Sequence, residues 1–98
     1  MIGAIVKFRF GDDFSEQAIG KIAEAARARF AGMPGLRCKI FTVDSRNREA
    51  TNFYLWDSEE AAKTFFDEAL LDRVTTLYGA RPTVDFVQVA ALVENAPG

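Results

Sequence analysis

The chain has 98 residues, 49 % hydrophobic and 27 % charged, the composition of one ordinary globular domain. Its net charge of −2 and pI of about 5.1 leave no basic surplus with which to displace phosphate counterions from a nucleic acid. It has no histidine and one cysteine, Cys38, which closes imidazole general-base chemistry, Ser–His and Cys–His nucleophiles, an intrachain disulfide and a single-chain structural zinc site.

Residues 2–10, IGAIVKFRF, are β-rich and broadly alternating, and Gly11 ends the run. Lys7 and Arg9 interrupt any apolar leader, and no basic stretch precedes one, so no signal peptide is expected. No apolar stretch approaches the roughly 20 residues of a membrane span. Together with the lone cysteine this predicts a cytoplasmic protein. Asp13 and Glu16 fit a capping box, after which Ile19, Ile22, Ala23, Ala26 and Phe30 recur at helical spacing. Gly32 and Pro34 stop that helix.

LRCKIFTVD, residues 36–44, predicts a second strand, and ATNFYLW a third, joined through the polar SRNRE as a hairpin. Asp57 and Glu60 suggest another capping box. Ala61, Ala62, Phe65, Phe66, Ala69 and Leu70 then mark a second amphipathic helix, with the period running on through Val74, Leu77 and Tyr78. One long helix and two short ones fit this stretch equally. TVDFVQVAALV, residues 83–93, predicts the last strand, and the tail NAPG is expected to fray. The order β-α-β-β-α-β is that of a ferredoxin-like sandwich, an α+β fold with a four-stranded antiparallel sheet in a single domain spanning residues 1–98.

The strands are apolar on both sides. In the last, Val84, Phe86 and Leu92 share one face, and Val87, Val89 and Val93 the other. A one-sided sheet normally alternates apolar with polar residues, and a second apolar face marks an interaction site. Sheet-to-sheet packing in a homodimer is therefore expected. Burying about 600 Å² of apolar surface per subunit would contribute of order 15 kcal/mol before association costs.

From MPGLRCKIFTVD onward the chain resembles a known family. Pro34-Gly35-Leu36, Lys39-Ile40-Phe41-Thr42, Glu49-Ala50 and Tyr54-Leu55, followed by the helix SEEAAKTFFDE, are similar to the small YdhR-type monooxygenases. Those belong to the dimeric α+β barrel superfamily, with the antibiotic-biosynthesis and haem-degrading monooxygenases. The resemblance covers roughly residues 2 to 93. It implies sheet-to-sheet dimers and a pocket in each subunit between sheet and helices. In the antibiotic-biosynthesis relatives an asparagine and a tryptophan four residues on line that pocket, and Asn52 and Trp56 match them. YdhR-type sequences tend to carry two glycines where this chain has Thr51 and Asn52, a departure that reshapes the cavity. The haem-degrading relatives carry a histidine on the helix that here holds Phe65 and Phe66, so haem degradation is not implied.

Lys39, Asn52 and Trp56 are the candidate catalytic residues, with Phe41, Tyr54, Phe65 and Phe66 as walls for an aromatic substrate. Lys39 sits mid-strand among apolar residues. It is either an edge lysine that blocks aggregation or a cation that holds a phenolate or enolate. Asn52, Tyr54 and Trp56 share a strand face. Their polar atoms either satisfy backbone groups in the core or orient a ligand. Whether Lys39 joins them depends on hairpin register. A four-residue loop, Ser45–Arg48, pairs Asp44 with Glu49 and sets Lys39 opposite Tyr54 and Phe41 opposite Asn52; a five-residue loop flips the strand. The family match of Lys39 favours the four-residue loop. Lys7 and Arg9 are expected to snorkel past an apolar face, and Arg73 and Arg81 to solvate the surface or gate a cavity mouth. The pairs Asp12-Asp13, Glu59-Glu60 and Asp67-Glu68 read as helix caps and solvated faces, and neither metal nor cofactor is expected.

Three functions follow. The first is a cofactor-independent monooxygenase acting on a small electron-rich aromatic or polycyclic phenol. Its weak point is the base: Tyr54 would need its pKa lowered by roughly three units from about 10, or a carboxylate such as Asp85 must help. The second is a non-catalytic small-molecule binder or dimerisation module. The third, an RNA-recognition domain, shares the element order, but EATNFYLW lacks the basic start, both glycines and the first aromatic of that module's third strand.

Overall fold

β1 (Ile2–Arg9) buries Ile2, Ala4, Val6 and Phe8 and turns Gly3, Ile5, Lys7 and Arg9 the other way, the two-residue period of a strand. The computed structural model describes residues 1–96; the end of the NAPG tail, Pro97 and Gly98, lies outside the described residues. α1 (Glu16–Phe30) follows, with Ile19 buried. Its cap is Ser15, whose hydroxyl accepts from the Ala18 amide at 3.1 Å. The capping residue expected at Asp13 is thus two positions early. Asp13 instead accepts from Gly11 N–H at 3.2 Å and shapes the turn before the helix.

β2 (Leu36–Asp44) and β3 (Glu49–Trp56) form the hairpin. Asp44 pairs with Glu49, so the loop has four residues, Ser45–Arg48. Asp44 holds it: its carboxylate accepts from the Asn47 amide N–H at 3.1 Å and from Asn47 Nδ2 at 2.8 Å. The same contacts keep the Asp44 carboxyl below its usual range. Arg48 closes the turn in the left-handed region at φ 54°. At the other end the β2–β3 ladder slips between Leu36 and Cys38, leaving Arg37 as the extra residue.

Gly35, in the Pro-Gly-Leu motif, has φ +82°, and a Cβ there would lie 3.1 Å from Ala61 Cβ. Only glycine lets this loop press against the next helix and the Trp56 indole.

The second helical stretch is two helices, α2 (Glu59–Phe65) and α3 (Glu68–Tyr78). Ser58, not Asp57, caps α2, by accepting from Ala61 N–H at 3.1 Å. Phe66 leaves helical geometry, and Asp67 caps α3 by accepting from Leu70 N–H at 2.8 Å. The acidic Asp67-Glu68 pair is therefore the second helix start. Arg81 bonds to Glu68 and Asp72 of α3 at the surface.

β4 spans Thr83–Gln88, shorter than the expected 83–93. Among the described residues its one neighbour is β1, and the ladder ends where Gln88 meets Ile2, the first residue of β1. No strand among the described residues pairs with the apolar stretch beyond Gln88. The antiparallel sheet has the order β2-β3-β1-β4. Ile2, Ala4, Val6, Phe8, Ala50, Tyr54 and Trp56 pack against Ile19 and Ala62 of the helices as one core.

On the opposite face, Ile40, Phe53 and Val87 are 55 %, 41 % and 43 % exposed. Register places Ile40, Phe53 and Ile5 in one row across the strands, and Leu55, Gly3 and Val87 in the next. Lys7 and Arg9 lie on this face too, and reach Glu49 at 3.8 and 3.2 Å rather than snorkelling.

Candidate functional site

The hairpin register decides which side chains meet. Lys39 pairs with Tyr54 and Phe41 with Asn52, all on the helix-covered face. The Asp44–Asn47 turn therefore aims the β2 lysine inward.

Lys39 Nζ lies 3.5 Å from the centre of the Phe30 ring, 4.1 Å from Phe41 and 4.4 Å from Tyr54. Among the described residues no carboxylate is paired with it. Three ring faces are the ammonium's stabilising partners, an arrangement worth up to about 2 kcal/mol per contact when desolvated. Burial and the nearby Arg29 guanidinium oppose the charge, and together they bring the Lys39 pKa down to about 7. Lys39 borders a cavity of about 630 Å³ between α1 and β2, walled by Ala23, Phe30, Leu36 and Phe41 and rimmed by Glu24, Arg27 and Arg37.

The pKa has a consequence for stability. Between about pH 7 and 10.5 the unfolded chain keeps the Lys39 proton and the folded one does not, so native stability rises with pH across that window. The cost of burying the ammonium is fully present below pH 7. Lys39→Met should therefore stabilise most at pH 6 and least at pH 10. Full conversion gives about 5 kcal/mol, and solvent screening with lost ring contacts reduces it to roughly 2 kcal/mol. Urea unfolding of both proteins at the two pH values checks this; a gain independent of pH would refute it.

Asn52 is 3 % exposed, and its amide donates to the Tyr78 hydroxyl at 3.3 Å. Tyr78 stacks on Phe8 with ring centres 3.9 Å apart. Asn52, Tyr78, Ile19 and Phe41 border a small cavity of about 100 Å³ beneath α1. Phe41 thus lines both this cavity and the larger one. Burial pushes the Tyr78 hydroxyl pKa up, partly offset by the Asn52 bond.

Tyr54 and Trp56 are buried too, 7 % and 2 % exposed. Their rings are parallel within 8° at 6.0 Å, and Phe65 and Phe66 meet Trp56 at 5.1 and 6.1 Å. Phe66 also stands edge-on to Tyr54 at 4.9 Å. Trp56 Nε1 is buried with no hydrogen-bond partner among the described residues. Trp56 and Phe65 border a third cavity of about 540 Å³ with Met33, Pro34 and Thr64. The candidate residues are thus on one face but do not share one opening: Lys39 and Phe41 face the first cavity, Asn52 the small one, and Trp56 the third.

Neither base expected from the sequence holds. Burial drives the Tyr54 hydroxyl well above its ordinary pKa, away from general-base chemistry. Asp85 is exposed and pairs with Ile5 on the outer face, so it cannot serve this side of the sheet. On the helix-covered face, Lys39 is brought close to neutrality, at about 7. Sequence reasoning missed Phe30, Arg29 and Tyr78. The first and last belong to helical stripes that read as plain core, and the site signal lay only in their pairing with the β2 lysine and Asn52.

This fold, with three helices on one sheet face and an aromatic interior, is that of the antibiotic-biosynthesis monooxygenases. A monooxygenase from the Streptomyces coelicolor gene ActVA-Orf6, in complex with nanaomycin D, superposes with TM-score 0.68 at 17 % identity, over 97 % of this chain and 92 % of that one. SnoaB, a cofactor-independent oxygenase from Streptomyces nogalater, gives TM-score 0.68 at 11 % identity over 96 % and 97 %. A dimeric ferredoxin-like protein of unknown function from Thermobifida fusca gives 0.67 at 16 % identity over 90 % of each chain. No curated protein sequence matches. The chain belongs to the family described as putative mono-oxygenase ydhR, which matches residues 4–92. Among the described residues no helix is long and apolar enough to cross a membrane, and no cluster of metal-ligating side chains occurs.

Proposed function

We propose that the protein is a cofactor-independent monooxygenase for an electron-rich aromatic or polycyclic phenol, bound in the cavity between α1 and β2. The observation that carries this reading is the Lys39 amine, which faces three aromatic rings at the wall of that cavity and is brought to a pKa of about 7. A base poised near the working pH is the most effective kind. The free amine takes the phenol proton, and the resulting ammonium holds the phenolate. The phenolate passes one electron to dioxygen, and the two radicals recombine at a ring C–H carbon as a peroxide anion, which takes the proton back from the Lys39 ammonium to become a hydroperoxide. Loss of water from that carbon leaves a carbonyl, so substrate and dioxygen together supply every electron. Displacing the Phe41 ring would join the two cavities it borders and bring the substrate oxygen toward the Asn52 amide, a second donor for the anion. Behind Lys39, Tyr54 packs against Trp56, Phe65 and Phe66, an apolar layer that backs this wall and keeps water out. The neighbour described as a cofactor-independent oxygenase supports the same chemistry on this fold.

Oxygen uptake with a panel of quinols, anthrones and naphthols tests the reading. Uptake should rise with pH to a plateau above about 7, and Lys39→Met should lower kcat by about 100-fold or more. No uptake across the panel would overturn it. A second reading, a non-catalytic binder, is favoured by the burial of Asn52, Tyr54 and Trp56, which pack as a filled interior. A phenol that raises Tm yet stays unchanged in air would establish that one.

The same proposal includes a homodimer joined through the outer sheet face. The exposed rows of Ile40, Phe53 and Val87 support it, as does the apolar stretch after Gln88, whose Leu92 and Val93 are 42 % and 82 % exposed. A free, exposed Cys38 suits a reducing cytoplasm.

A further inference from the structure

Lys39 has a second capacity that proton transfer does not use. An amine becomes a nucleophile at neutral pH when it is desolvated in an apolar pocket or set beside another cation. Lys39 has both conditions. Phe30, Phe41 and Tyr54 surround its Nζ, and Arg29 of α1 is the charge acting on it. The charged and titratable groups facing this region are Glu24, Arg27 and Arg29 from α1, Arg37 and Cys38 from β2, and Tyr54 from β3. Glu24 is committed to Arg27 at 3.3 Å, and Arg37 reaches Asp57 at 3.8 Å, so neither carboxylate is bonded to the lysine. The adjoining cavity, about 630 Å³ and walled by Phe30, Leu36 and Phe41, has room for a two-ring compound.

We propose that Lys39 is a carbonyl-trapping amine, forming a reversible imine with an aromatic aldehyde admitted to the cavity between α1 and β2. The Nζ lone pair attacks the carbonyl carbon, the carbonyl π pair moves to oxygen, and the oxygen takes a proton that the nitrogen gives up, leaving a neutral carbinolamine. The nitrogen then loses a proton and the carbon loses hydroxide, so that one aldehyde and one amine yield one imine and one water. No oxidant enters. The apolar walls select an aromatic carbonyl, and the three rings that face the ammonium can instead stack on the aryl imine. This activity shares the amine with the oxygenase reading and nothing of its oxygen chemistry.

The test incubates the native protein with 2-naphthaldehyde and cyanoborohydride at pH 7, then maps the reduced adduct by peptide mass spectrometry. Lys7, Lys21 and Lys63 are internal controls. About half of Lys39 is free amine at pH 7, against roughly one in a thousand or fewer for an ordinary lysine, so it should label at least about tenfold faster. Its labelling rate should level off above pH 8 while those of the controls still climb. Equal rates at all four lysines, or a Lys39 rate unchanged in urea-unfolded protein, would overturn the proposal. A selective adduct in a protein that takes up no oxygen supports the amine and refutes the oxygenase; oxygen uptake without selective labelling does the reverse.

Discussion

Phe53→Glu is expected to sediment as a monomer at micromolar concentration, where the proposed homodimer predicts that the native protein sediments as a dimer. Phe53 lies between Ile5 of β1 and Ile40 of β2 on the outer sheet face, so it marks the middle of the apolar rows. It is 41 % exposed in the single chain, and Ile40 and Val87 beside it are 55 % and 43 % exposed. A lone monomer would have to keep this patch wet, which soluble proteins rarely do over several hundred Å². Packing a second copy on the patch removes it from water, and a carboxylate at its centre would then be buried without a partner. Leaving a charge uncompensated costs about 3–5 kcal/mol, equivalent to weakening association by roughly 100- to 4,000-fold per altered side chain. The exchange is doubled by symmetry, since each copy contributes its own glutamate. Sedimentation equilibrium of the two proteins decides the matter. A native protein that stays monomeric at micromolar concentration would remove the dimer from the proposal, while leaving the Lys39 cavity between α1 and β2 intact.

That separation between the two faces shows what the sequence could and could not tell. The strands were legible because their side chains alternate, and the ferredoxin-like order followed from where the helical periods fell between them. The register was legible in principle, because the four-residue loop was one of two discrete alternatives. What selects it is local: Asp44 grips both the backbone and the side chain of Asn47. Helix starts were misplaced at Asp13 and Asp57 because serine and aspartate compete as caps. The serines at 15 and 58 win by standing three residues before the amides they receive. The end of β4 was not legible at all, since residues 89–93 are as apolar as the strand before them. Only the end of the neighbouring strand, at Ile2, stops the ladder.

The chemistry of the site was less legible than the fold, for a physical reason. A pKa depends on surroundings that a sequence does not order. Lys39 was identifiable as an odd cation in an apolar strand, but its conversion into a near-neutral amine needs Phe30 and Arg29 from α1, nine or ten positions upstream in the chain. Tyr54 moves the other way for the same reason, because burial disfavours whichever form is charged: the phenolate of a tyrosine and the ammonium of a lysine. One environment thus raises the tyrosine's pKa away from neutrality and lowers the lysine's toward it.

Trp56→Ala is expected to destabilise the protein by about 3–5 kcal/mol, the ordinary cost of emptying a large aromatic site from a core. Trp56 is 2 % exposed, and with Phe8 it is among the largest fully buried side chains. It meets Tyr54, Phe65 and Phe66, and the indole lies 3.9 Å from where a Cβ on Gly35 would stand. Removing it would therefore unseat α2 and the Pro-Gly-Leu loop together. Trp56→Phe separates this structural role from a role in the site. Phenylalanine keeps most of the ring contacts and deletes the buried, unpartnered Nε1–H, whose desolvation costs about 1–3 kcal/mol. The gain and the lost volume nearly offset, so Trp56→Phe should change stability by no more than about 1 kcal/mol. Urea unfolding at one fixed protein concentration compares both variants on the same footing whatever the association state. If Trp56→Phe folds normally but loses oxygen uptake, the orphaned indole N–H is reserved for a ligand; if uptake is unchanged, Trp56 is apolar backing alone. Should Trp56→Ala cost less than about 1 kcal/mol, the aromatic cluster would not be the core on which both Lys39 and the helices rest.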